Sequence, residues 1–168
     1  MTDIVLIAHN LRSAHNVGSL LRTAEGLGVG KIWLTGYSPY PQRENFHDND
    51  RLPHLAKKID SQISKTSLGA ELTIDWGQSE ELEPVLSDLK NQGFTIAGLE
   101  QSGKSVKLNE FEPPAKLAII VGREVEGIEP EVLAQCDQIL EIPMFGQKES
   151  FNVVQAAAMA LYHCRFYA

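Results

Sequence analysis

The strongest constraint on this chain is the alternation of short apolar runs with longer amphipathic ones. Leu117–Val121 is apolar without a break, the pattern of a strand covered on both faces. Ile4–Ala8, Lys31–Leu34, Glu71–Asp75, Phe94–Gly98 and Ile139–Ile142 read as further strands. Helical patterns fall between them at Asn16–Leu27, about Ile59–Thr66, Glu80–Gln92, Pro130–Cys136 and Ser150–Arg165. Strands and helices in alternation predict an α/β fold, a mostly parallel sheet with helices on both faces. The 168 residues fit one domain spanning 1–168. The longest irregular stretch, Gly36–Lys58, holds three prolines and Arg43, Arg51, Lys57 and Lys58. A loop of that length in a compact domain is usually functional or mobile.

Composition narrows the function classes. No apolar run approaches the roughly 20 residues of a membrane span. The N-terminus reads as a first strand and lacks the basic start of a signal peptide. Cys136 and Cys164 have no metal-like spacing, so two reduced thiols in a cytoplasmic protein are expected, with no metal site. The net charge is −7, but residues 1–66 carry +2 and residues 67–168 carry −9. A phosphate-binding face would therefore come mainly from the first part, with Arg43, Arg51, Lys57 and Lys58 as the candidate RNA contacts.

Three blocks place polar or glycine residues at the ends of hydrophobic runs. The first is Asn16-Val-Gly-Ser-Leu-Leu-Arg22. At 100° per residue Val17, Leu20, Leu21 and Ala24 share one helix face, while Arg22 centres the other beside Gly18, Ser19, Glu25 and Gly26. Such an arginine either pairs on the surface with Glu25 or grips a phosphate or carboxylate bidentately. Ser13 or Asn16 can cap this helix. The glycines Gly26, Gly28 and Gly30 end a helix and lack the G-x-G-x-x-G order of a dinucleotide loop.

The second block runs from Ile119 to Gly127 and contains Gly122 and Glu124; the third is Ile142-Pro-Met144 followed by Ser150-Phe-Asn152. With Leu99 after Phe94–Gly98, three strand ends carry glycine or proline punctuation. Ligands of open parallel sheets sit outside such ends. Leu99, Ile142 and Met144 would wall a pocket, and the backbone at Gly122 and Met144 could meet an adenine-like ring. Ser150 reads as the N-cap of the last helix. Glu124 is either a solvated loop charge or the partner of an arginine.

In this order the blocks resemble the motifs of the SpoU (TrmH-like) branch of the SPOUT RNA methyltransferases: N-x-G-x-x-x-R, hydrophobics-G-x-E-x-x-G, and I-P-M with S-x-N-x-x-x-A. The resemblance runs from Ile4 to the final helix. It implies a C-terminal trefoil knot, S-adenosylmethionine bound bent within it, and an obligate homodimer with its active site at the interface. Carried over by position, Asn16, Arg22, Glu124, Ser150 and Asn152 match the family's polar active-site residues. Leu99, Gly122, Ile142, Met144, Ser150 and Phe151 match its cofactor contacts. Phe151 stands where leucine is common, and Val154-Gln155 where small or apolar residues are usual. The resemblance is to a minimal catalytic domain without an N-terminal RNA-binding extension. It implies methylation of a ribose 2′-hydroxyl in tRNA or rRNA. A non-catalytic RNA-binding or cofactor-sensing member and a base methyltransferase on a related knotted fold are the alternatives.

Overall fold

The computed structural model describes residues 1–42 and 51–167. Seven strands form one sheet in the order β3-β2-β1-β6-β4-β7-β5, and every pairing is parallel. They are β1 (Asp3–His9), β2 (Lys31–Thr35), β3 (Trp76–Ser79), β4 (Thr95–Leu99), β5 (Val106–Lys107), β6 (Lys116–Val121) and β7 (Gln138–Glu141). The helices are α1 (Ala14–Gly26), α2 (Pro53–Ser67), α3 (Glu83–Asn91), α4 (Pro130–Leu133) and α5 (Val153–Phe166). No helix among the described residues is long and apolar enough to cross a membrane.

The period of two along the central strands divides the core into two layers. Ile4, Leu6 and Ala8 of β1, with Leu117, Ile119 and Val121 of β6, pack under α1, α2 and α5. Val5 and Ile7, with Ala118 and Ile120, pack under α3 and the α4 segment. Helices therefore cover both faces, as the uninterrupted apolar runs require.

Several boundaries differ from the sequence reading, each for a local reason. Glu71–Asp75 is not a strand. Helix α2 ends at Leu68 in the left-handed region, Gly69 follows at φ +95°, and Ala70–Leu72 makes a 3-10 turn. The Glu71 carboxylate then turns back to accept from the Ser64 and Ser67 hydroxyls. The third strand starts only at Trp76. Helix α2 begins at Pro53, a residue suited to the first helical turn, well before Ile59. Lys57 and Lys58, read as part of the irregular stretch after Gly36, therefore lie on this helix. Strand β5 is two residues long and leaves no periodic trace in the sequence.

Gly18 belongs to this packing. It is buried, and a Cβ on it would lie 2.2 Å from Thr66 Oγ1 and 2.3 Å from the Ile63 carbonyl oxygen. The space beside it is filled by α2. Alanine favours helix over glycine by about 1 kcal/mol, whereas overpacking against a backbone carbonyl, which cannot rotate away, falls in the upper part of the usual range, about 2–3 kcal/mol. Gly18→Ala should therefore destabilise, lowering the midpoint of a thermal melt by about 2–8 °C. An unchanged or raised melting temperature would refute the close approach of the two helices.

Candidate functional site

The β6, β4 and β7 strands are neighbours, so their carboxyl ends open onto one cleft of about 740 Å³, its mouth included. Leu99, Gly122, Ile142, Ser150 and Phe151 line it, together with Glu124. The sheet thus brings together five of the six cofactor candidates and, of the five polar active-site candidates, Glu124 and Ser150. Met144 is half-buried outside the lining, and Asn16, Arg22 and Asn152 also lie outside it. The lining also holds Glu100, Gln101, Arg123, Glu126 and Glu141, charged or polar residues that no motif singled out.

Gly122 has a different role from the one its position suggests. The loop after β6 folds back on itself through paired hydrogen bonds between Arg123 and Gly127. A Cβ on Gly122 would come within 2.7 Å of the Gly127 carbonyl carbon and of the Ile128 side chain. Its missing side chain lets this loop close. Gly98 points into the same layer, where a Cβ would sit 2.9 Å from Leu133 Cδ2 and 3.5 Å from Ile128 Cδ1.

Glu124 joins the cleft to the first block. Its carboxylate accepts from the backbone N–H groups of Arg12 (3.3 Å) and Ser13 (3.1 Å) and from Asn16 Nδ2 (3.1 Å). It is therefore not a solvated charge, and among the described residues it is not paired to an arginine side chain: it holds the N-terminus of α1, where unpaired donors and the helix dipole favour an anion. Burial would raise the Glu124 carboxyl, but hydrogen bonds from backbone and Asn16 outweigh it and hold the group below the ordinary range. Ser13 makes the cap itself, accepting from the Asn16 N–H.

The last helix is capped by Asn152, which accepts from the Val154 N–H at 2.9 Å, and not by Ser150. Ser150 is left exposed in the cleft lining. Arg22 is exposed on α1, and among the described residues it has no hydrogen-bond or ion-pair partner, Glu25 included. Of the RNA-contact candidates, Arg43 lies outside the described residues. Arg51 is half-buried over the Tyr40 ring (3.7 Å) and donates to the Tyr40 carbonyl at 3.0 Å. Lys57 and Lys58 are exposed on α2. Cys136 and Cys164 are free thiols, pushed up by burial to about 11 and about 12.

A polar cluster behind the cleft was not legible in the sequence. Asn10, at φ +56°, donates to Glu129 Oε1 (3.0 Å) and lies 3.1 Å from His9 Nε2. His9 Nδ1 is 2.9 Å from the Thr35 hydroxyl. Arg123 Nε approaches Glu129 at 3.5 Å, so the cluster supports the loop that carries Glu124. The second Glu129 oxygen is buried without a hydrogen bond, 3.8 Å from His9 Nε2. These residues sit at the ends of β1, β2 and the segment before α4, and only the sheet order makes them neighbours.

Residues 48–162 match the family model of the SpoU rRNA Methylase family. The chain belongs to this family. It is 30% identical over 158 residues to a putative TrmH family tRNA/rRNA methyltransferase of Staphylococcus aureus (strain COL), covering 94% of this chain and 56% of that protein. It is likewise 30% identical over 162 residues to the 23S rRNA (guanosine-2′-O-)-methyltransferase RlmB of Neisseria meningitidis serogroup B, covering 96% and 58%. The chain thus spans a little over half the length of these relatives. The AdoMet-bound rRNA methyltransferase from Sinorhizobium meliloti superposes with a TM-score of 0.81 at 18% identity, over 97% of this chain and 56% of that one, and shares the fold.

Protonation of the polar cluster should be visible in stability. Burial lowers the His9 pKa below 6.5; the Glu129 carboxylate opposes this and Arg123 reinforces it. The unfolded chain therefore takes up the proton first, and stability falls as the pH drops below about 6.5. Glu124 and Glu129, both held below 4.5, add a second loss below that value. Thermal melts from about pH 8 to pH 4 should show both phases, with His9→Gln flattening the upper one. A wild-type melting temperature that stays constant between about pH 7 and pH 5.5 would refute the buried, neutral histidine.

Proposed function

We propose that the chain is an S-adenosylmethionine-dependent RNA methyltransferase acting on a ribose 2′-hydroxyl of tRNA or rRNA. The observation that carries this reading is the convergence of three adjacent strand ends on one cleft tied by Glu124 to the helix bearing Arg22. Ribose chemistry is supported by the 2′-O activity named for the Neisseria relative.

The cleft suits the cofactor. Leu99, Ile142, Val153 and Ala156 offer apolar walls for an adenosyl group, and Glu100, Glu124, Glu126 and Glu141 outnumber Arg123, which favours a sulfonium cation. Bound there, S-adenosylmethionine supplies an electrophilic methyl carbon. The protein then has to align the hydroxyl, stabilise the oxygen as its proton leaves to solvent water, and direct the methyl to that oxygen, the C–S bond breaking as the C–O bond forms. Arg22 is the group assigned to the oxygen. A guanidinium stays protonated in proteins, so Arg22 holds an RNA phosphate and favours the developing alkoxide as a cation. Asn16 and Glu124 orient the helix that carries it. Asn152, a catalytic candidate by resemblance, contributes by fixing the start of α5.

The active site is proposed to form between two copies. Arg22 stands outside the cleft of its own chain. On α5, Tyr162 and Phe166 are each 61% exposed beside Met159 and Tyr167, forming an apolar groove of about 770 Å³, its mouth included, suited to a second copy. A C-terminal knot, a single domain over 1–168 and a cytoplasmic location complete the proposal. RNA contact is assigned to Arg43, Arg51, Lys57 and Lys58; within the described residues the two lysines are the exposed ones.

Calorimetric titration with S-adenosylmethionine and a labelled-methyl assay on total RNA, followed by nucleoside analysis, test the reading. A 2′-O-methyl nucleoside is expected; a base-methylated product or no transfer would overturn it. Arg22→Ala should lower the rate by at least about 100-fold while changing cofactor affinity by less than about threefold. Full activity in that variant would remove Arg22 from the mechanism.

A further inference from the structure

The three loops that form the cleft come from distant parts of the chain, yet one dipeptide touches all of them. Glu100 and Gln101 leave the end of β4, the middle of the three strands. The Glu100 carboxylate accepts from the Gln101 N–H at 2.9 Å and, across the cleft wall, from the Ile128 N–H at 3.0 Å. The second bond pins the loop that follows β6 at its far end. The Glu100 N–H donates to the Leu140 carbonyl of β7 at 2.9 Å. Gln101 Nε2 donates to the Glu149 carbonyl at 2.9 Å, holding the segment that leads into Ser150 and Phe151.

The second glycine of the G-x-E-x-x-G block has a reason in this contact. Gly127 has φ +71°, and a Cβ on it would lie 2.0 Å from Glu100 Oε2. The glycine leaves the carboxylate room to reach Ile128. Both Glu100 and Gln101 lie in the cleft lining, so the clamp is part of the surface that a bound molecule would meet.

We infer that Glu100, with Gln101, is a positioning residue that sets cofactor affinity by clamping the loops after β6 and β7 to the end of β4. This rests on the reading of the cleft as the S-adenosylmethionine site. A carboxylate accepts two backbone N–H groups at once; an amide of the same shape turns an NH2 toward one of them. The pinned loop then opens more often, and the free protein spends less time in the form that binds.

Glu100→Gln in the full chain tests this through two readouts. Amide hydrogen exchange at Ile128 in the free protein should accelerate by at least about tenfold. The Kd for S-adenosylmethionine by calorimetry should rise by about tenfold, and in the methylation assay the loss should fall on KM more than on kcat. Ile128 exchange within twofold of wild type, or a cofactor Kd within about twofold, overturns the inference. Wild-type protein that binds no S-adenosylmethionine overturns the reading of the cleft, and with it the affinity half, while exchange at Ile128 still decides the clamp. A second test does not depend on the cofactor. Gly127→Ala should lower the melting temperature less in a Glu100→Ala background than alone, because the colliding carboxylate is gone. Equal losses in the two backgrounds would refute the contact.

Discussion

The parallel pairing of β1 with β6 is the constraint on which the rest depends. It joins Asp3–Ala8 to Lys116–Val121 in six consecutive register pairs, across more than a hundred residues of intervening chain. Both strands are almost wholly buried, so a slip of one residue would exchange the two core layers. The pairing also sets the loop after Val121 next to the turn after His9. Only in that register can Glu124 reach the backbone of Arg12 and Ser13, and Glu129 reach Asn10. Loop closure must precede any return from such contacts, so this pairing is expected to form late in folding.

The polar contacts around the cleft follow from that geometry and are divided by burial. Glu124 has three donors and remains an anion, so it can anchor a helix end. Glu129 has Asn10 on one oxygen and only a distant, burial-depressed histidine beside the other. A buried acceptor without a bond carries a desolvation cost, and here it falls next to a loop whose shape defines the cleft. The cluster therefore makes that loop sensitive to acid, while the Glu124 contact keeps it attached to α1.

What could be read from the sequence was the part governed by periodicity. The uninterrupted run Leu117–Val121 and the 3.6-residue stripe through Val17, Leu20, Leu21 and Ala24 are signals of burial, and both elements stand where those signals put them. Glu71–Asp75 failed because its short apolar run belongs to a turn whose shape is set by Gly69 and by hydroxyl contacts from α2. Ser150 failed as a cap because Asn152, two residues on, has the same chemistry and the right backbone angles. The convergence of Leu99, Gly122 and Ile142 was legible because parallel sheets open their sites at strand ends, whereas Ser150 and Phe151 were placed with them by the family resemblance. Glu100 and Gln101 were not, because their partners at Ile128 and Glu149 are far along the chain and engage through backbone groups common to any residue.

The position of Arg22 follows from what holds its helix at each end. The N-terminus of α1 is bound by Glu124. Past its C-terminus, Arg165 of α5 donates to the carbonyls of Leu27 and Gly28 and, through the same guanidinium, to Thr2. A helix tied to the cleft loop at one end and to α5 at the other has little freedom to swing. At 1.5 Å per residue Arg22 stands roughly 13 Å along the axis from Ser13, beyond the reach of small side-chain adjustments. Bringing this guanidinium to a hydroxyl at the cleft by bending one chain would break one of the two attachments. Supplying it from a second copy packed on the exposed face of α5 breaks neither, and that is the physical ground on which we propose a two-copy site.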